Sequence, residues 1–159
     1  MDNHSIHNIL ILLHASSATI SFFAGCFLIL LPRYISDQRL FHLYWWTLVG
    51  MVVLLAGAII VYWIEYTSTE RIIFPGLFAL GIYMLVRARS AHRLLGSQQT
   101  DWKPTFVEHI GFTLISLFEG FVIVSGLSSG VPGWLVALLA VLGVLLGRWS
   151  IGFAKQKVK

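Results

Sequence analysis

Apolar residues run in five long blocks along the chain, near residues 6–31, 41–64, 72–87, 105–127 and 132–150, with short polar interruptions between them. Each block is close to the roughly 20 residues an α-helix needs to cross hydrocarbon. None alternates apolar and polar with period two, and all are too long to be strands of a membrane barrel. The pattern predicts an all-α integral membrane protein, five transmembrane helices in one domain over residues 1–159. The interruptions are Pro32-Arg33, Ser36-Asp37-Gln38-Arg39, Thr67-Ser68-Thr69-Glu70 and a longer basic connection over residues 88–103. The prolines agree with these breaks. Pro32 follows the first block, Pro104 precedes the fourth, and Pro75 and Pro132 suit opening turns, where a missing N–H costs little. Thr67 with Glu70, and Thr105 with Glu108, have the three-residue spacing of a capping box.

Composition sharpens this picture. Hydrophobic residues make up 57% and charged residues 11% of the chain, less than half the usual charged share of about 25%. The net charge of +4 is not a nucleic-acid signature, because the basic residues cluster at the ends of apolar blocks rather than on one polar surface. Ten of the eleven Lys and Arg fall on one side if the N-terminus is outside: Arg33, Arg39, Arg87, Arg89, Arg93, Lys103, Arg148, Lys155, Lys157 and Lys159. Only Arg71 falls on the other. The positive-inside rule then predicts the N-terminus outside and the C-terminus in the cytoplasm. No Lys or Arg precedes Arg33, so the first block lacks the basic region of a signal peptide and reads as a retained helix. The lone Cys26 forms no intramolecular disulfide and suits a small buried hydrophobe. Walker, GxGxxG, GxSxG and HExxH patterns are missing from the sequence, and the connections are too short for a soluble catalytic domain.

Polar groups inside the blocks are the candidate chemistry, since ionisable side chains in a membrane are costly and usually face the protein interior. Depth along each helix, at ~1.5 Å per residue, sorts them into two layers. His14 and Glu119 fall together in the outer half, and predict an intramembrane polar pair. His42 opens the second helix and His109 lies one turn into the fourth, both near the cytoplasmic side. His92 sits on that side too, in the Arg-rich connection. Glu108 reads as the cap partner of Thr105.

Several short segments occur in a familiar order: His14-Ala15-Ser16-Ser17-Ala18 leading into Phe23-Ala24-Gly25, a basic loop before His42, Tyr83 followed by Arg87 and Arg89, Asp101-Trp102 leading to His109-Ile110, and Pro132 with Trp134. Together they resemble a family of small bacterial multi-pass membrane proteins classed as a domain of unknown function. Its members carry a histidine in the first helix, one opening the second and one opening a later helix. The resemblance runs from Leu13 to Arg148 and departs at Leu117 and Glu119, where the family is richer in Tyr and Thr. It implies the architecture and a bacterial inner membrane, and brings no established activity.

The leading functional expectation is haem b, with His42 and His109 as axial ligands and Arg39 or Arg89 pairing with its propionates. Such a protein would serve electron transfer or redox-enzyme assembly, with a membrane redox complex or a quinone as partner; the latter would sit near His14 and Glu119. A transition metal on His42, His109 and His92 is the competing ligand. The structural reading makes these residues hydrogen-bonding groups of the bundle. A non-catalytic accessory subunit of a larger membrane complex is the alternative function, and a small transporter the third. Gly143 and Gly147 form a GxxxG that predicts close helix packing or an oligomer.

Overall fold

The computed structural model describes residues 3–35, 37–95 and 102–157. Helix α1 spans Asn3–Leu30, α2 Gln38–Tyr62, α3 Glu70–Leu95, α4 Trp102–Ser128 and α5 Gly133–Lys157, with a 3-10 turn at Pro32–Tyr34 between the first two. All five helices are long and apolar enough to cross a membrane, as the hydrophobic pattern predicts. The chain is thus an all-helical bundle of multi-pass membrane type. Ser36, Asp101 and Lys159, used above as loop, motif and terminal residues, lie outside the described residues.

The ends of the elements differ from expectation in informative ways. Helix α3 does not stop near residue 87 but continues to Leu95, so half of the expected 88–103 connection is helical. Ala88 and Ala91 carry the buried stripe of Met84 onward, fully enclosed against the core, while Arg87, Arg89 and Arg93 extend from its flanks. Helix α4 begins at Trp102, which puts Thr105 inside the helix rather than at its cap. The expected Thr105–Glu108 capping box is therefore absent, and Glu108 instead pairs with Lys155 of α5 at 2.6 Å. The other box is present: Glu70 accepts from the Thr67 amide at 2.8 Å, and the Glu70 amide donates to Thr67 Oγ1 at 3.3 Å. Asp37 caps α2 by accepting from the amides of Arg39 and Leu40. Pro75 lies beyond the opening turn it was expected to occupy, inside α3, where its ring cannot donate to the Arg71 carbonyl.

Two hairpins, α1–α2 and α4–α5, frame the bundle, and α3 packs mainly on α4 with a lesser contact to α2. A ladder of side chain to backbone bonds joins α1 to α2. His7 Nδ1 donates to the Ala58 carbonyl at 3.3 Å, His14 Nδ1 to Met51 at 2.8 Å, and Ser21 Oγ to Tyr44 at 3.3 Å. Donors and acceptors both step by seven residues, the repeat of antiparallel helices crossing at a shallow angle.

The α4–α5 hairpin is built differently. Each helix offers glycines that the other fills: Gly143 faces Glu119, Gly147 faces Ile115, Gly126 faces Val136 and Gly111 faces Ile151. A Cβ at Gly126 would lie 2.8 Å from Val136, inside contact distance. The GxxxG of α5 is therefore filled by α4 of the same chain, the close helix packing its spacing predicts. Tyr44, Phe41, Phe106, Leu28 and Ile110 are among the largest fully buried side chains. They concentrate the core toward the basic end of the bundle, where the α2 N-terminus and the α3 C-terminus meet.

Candidate functional site

The basic end holds the chemistry. Its centre is the buried stripe of α3, Met84, Ala88 and Ala91. At 3.6 residues per turn, Arg87 and His92 flank that stripe about 140° apart. His92 leans toward α2 and Arg87 toward α4, so the end of the bundle has two separate polar flanks.

On the α2 flank, His42 Nδ1 lies 2.6 Å from the Gln38 carbonyl. A carbonyl only accepts, so Nδ1 carries the hydrogen, and in the neutral form of the ring the lone pair is on Nε2. The His92 ring stands 6.0 Å from that of His42, centroid to centroid, with the two planes at 82°. Phe41 stacks on the opposite side of the pair, 5.1 Å from His92 and at 18° to it. Gln38, Phe41, His42, His92, Arg93 and Leu95 line an open pocket of about 320 Å³. Backbone-anchored imidazole is the usual preparation of a metal-binding histidine, because the bond fixes tautomer and ring orientation.

His109 belongs to the other flank. Its Nδ1 is buried without a partner among the described residues, and so is Nε of Arg87, whose charge acts on the ring. The structure therefore does not bring His42 and His109 into ring contact; the imidazole beside His42 is His92. The reason is azimuth rather than depth, since α3 stands between the two. Nor do the expected propionate partners approach the pocket. Arg39 and Arg89 are both exposed, and Arg93 lines it instead. Sequence reasoning left His92 in a loop; the continuing Met84, Ala88, Ala91 spacing was the signal that α3 carries it toward His42.

The outer polar pair is also separated. His14 is bound to the Met51 carbonyl, and Glu119 packs over Gly143 of α5. On α4, Glu119 is turned about 120–140° from Thr113 and Leu114, which face α2 and α1. Glu119 is only 7% exposed, and neither carboxyl oxygen has a partner among the described residues. Ser116, one turn before Glu119 on α4, donates to its own helix at the Phe112 carbonyl. A buried side-chain to side-chain hydrogen bond joins Tyr44 to Thr113, and Thr113 in turn donates to the Ile110 carbonyl at 2.7 Å.

At the opposite end, His7 stacks on Tyr62 at 4.3 Å, and His4 Nδ1 is 3.1 Å from the Tyr62 hydroxyl. Burial, then the nearby Glu70 and Tyr62, hold the Tyr66 phenol above its ordinary pKa.

Among the described residues, no group of three or more His, Cys, Asp or Glu is placed to hold a metal ion; His42 and His92 form a two-imidazole set. Compared with protein-family models, curated proteins and solved structures, the chain matches none.

Proposed function

We propose that this is a bacterial inner-membrane protein that holds haem b at its basic end through His42 and His92, serving electron transfer or redox-enzyme assembly. The observation that carries the reading is the geometry of that ring pair. Two imidazole nitrogens each about 2.0–2.1 Å from a shared metal ion place their ring centroids at most roughly 6 Å apart. The pair stands at 6.0 Å with near-perpendicular planes. His42 is already anchored through Nδ1, leaving Nε2 for iron. Phe41 and Leu95 supply apolar wall, and Arg93 supplies a cation for a propionate.

Bound haem b supplies one-electron chemistry. The chain's part is to fix both imidazoles, shield one side of the pocket with Phe41 and balance anionic charge with Arg93. The sequence assigns ten of the eleven Lys and Arg to this side, which supports an N-out, C-in orientation and a pocket on the cytoplasmic side. One centre on one side would not carry an electron across the bilayer, so a second carrier, a quinone or a partner redox subunit, would be needed to complete the route. The accessory-subunit and transporter readings draw on no feature as specific as the ring pair.

Purification in mild detergent after expression with added haem tests the reading. A Soret band is expected, lost in His42→Ala and in His92→Ala and retained in His109→Ala. A protein that shows no Soret band under haem supplementation overturns haem. Stoichiometric zinc or copper in its place, again dependent on His42 and His92, would reassign the same pair to a bare transition ion.

A further inference from the structure

Glu119 lies deep in the span of α4, about 25 Å from its inner end and about 14 Å from its outer end. More than nine-tenths of it is buried, and neither carboxyl oxygen has a hydrogen-bond partner among the described residues. A Cβ at Gly143 would come within 3.2 Å of its Cδ and closer still to Oε1, so the carboxyl rests on the α5 backbone. Phe118 flanks the same glycine, and Ile115 fills Gly147 one turn away. Beyond them α5 turns Leu139, Leu142 and Leu146 outward. The setting is apolar on every side.

No cation answers the carboxyl among the described residues. The ion pair of this hairpin, Glu108 with Lys155, lies about 16 Å back along α4. Arg148 of α5 is exposed and turned about 140° from Gly143. On α3, Tyr83 and Arg87 both meet the Phe112 ring, about 10 Å back along α4. Glu70 is held in its cap and Arg71 by the Ile64 carbonyl, while Arg89, His92 and Arg93 lie further toward the basic end. On α1, His14 is bound to the Met51 carbonyl, His4 and His7 pack on Tyr62, and Cys26 lies near the inner end of the helix.

We infer that Glu119 is a proton-binding site, and that closing the α4–α5 seam is linked to the uptake of one proton from water. An isolated carboxylate in such surroundings costs far more than the neutral acid. One proton converts the first into the second, and it needs no cavity and no partner chain. The seam leaves no slack for the alternative, because hydrating an ion would require water where Gly143 already meets the carboxyl. Since α5 packs mainly on α4, the seam is also the main attachment of that helix. The inference uses neither His42 nor His92 and stands independently of the haem pocket.

Infrared spectroscopy of the full chain in detergent, with isotope-labelled glutamate, tests the site. The chain holds four glutamates. Glu65 is exposed, Glu70 accepts from an amide in its cap, and Glu108 is paired with Lys155. At neutral pH one protonated-carboxyl band carrying the isotope shift is expected, lost in Glu119→Gln and retained in Glu108→Gln. Thermal unfolding reads the linkage. A folded state that keeps a proton the unfolded chain releases loses stability as pH rises above the ordinary glutamate value of about 4.3. Glu119→Gln keeps the neutral shape at every pH, so its Tm relative to wild type should climb between about pH 5 and pH 8. Wild type without a protonated glutamate band at neutral pH overturns the site, and this measurement needs no variant to fold. A band that persists in Glu119→Gln overturns its assignment to Glu119. A Tm difference between the two proteins that stays constant or shrinks with rising pH overturns the linkage.

Discussion

The two hairpins answer one problem in opposite ways. Helices in a bilayer gain little from the hydrophobic effect when they associate, because lipid is as apolar as a leucine. The α1–α2 pair meets this with directed bonds, three rungs at seven-residue steps onto backbone carbonyls. The α4–α5 pair meets it with contact area, by removing side chains so that Ile115, Glu119, Val136 and Ile151 can sink into the opposite helix. Its polar link, Glu108 to Lys155, is half-exposed at the end of the hairpin. The first design should tolerate losing a group, since each rung is one of several and each carbonyl keeps its own helical N–H. The second should not tolerate gaining one, since a glycine pocket has no slack.

Substitutions can break this contrast. The largest loss is expected from Gly143→Leu and Gly147→Leu, where the new side chain meets Glu119 or Ile115 directly; overpacking of this kind costs about 1–3 kcal/mol. Equilibrium unfolding in mixed micelles should register it, with Gly76→Ala as the control, because nothing lies within 4 Å of a Cβ there. Next comes His14→Ala, which removes the shortest rung; interhelical hydrogen bonds in membranes average about 0.6 kcal/mol and reach about 1.7. Ser21→Ala should cost less than His14→Ala in the same assay, its bond being longer at 3.3 Å. The smallest change is expected from Lys155→Ala, in the range of about 0.2–1 kcal/mol for exposed pairs and reduced further by salt. A ranking in which His14→Ala exceeds Gly143→Leu would show that directed bonds, not close packing, dominate this bundle.

The same contrast explains what was legible in the sequence. Five spans were visible because a bilayer imposes a coarse requirement, about 20 apolar residues, that composition alone meets. The end of α3 was hidden because Ala88 and Ala91, which bury it, sit among Arg87, Arg89 and Arg93 and read as a basic loop. Depth was legible as well, and His42 and His109 do lie at the same end of the bundle. Azimuth was not. Each residue turns a helix by about 100°, and nothing in the spacing says which neighbour that face will meet. His109 therefore turned out to face Arg87, Glu119 to face Gly143, and His14 to face a carbonyl. The Gly143–Gly147 spacing announced close approach correctly without naming the approaching helix, which is α4 of the same chain. Thr105 and Glu108 had the right spacing for a cap, but Thr105 lies three residues beyond the first residue of the helix.

The seven-residue ladder of α1–α2 also bears on how the protein is assembled. Both of its helices lie within the first 62 residues, joined by a link of only residues 31–37, so every rung can close before α3 leaves the ribosome. Sliding one helix by a single turn, about 5.4 Å, would misalign His7, His14 and Ser21 together rather than one at a time. An early hairpin formed in this way has one preferred alignment. It then presents Tyr44, whose hydroxyl waits for Thr113, as a fixed reference against which the later helices are positioned.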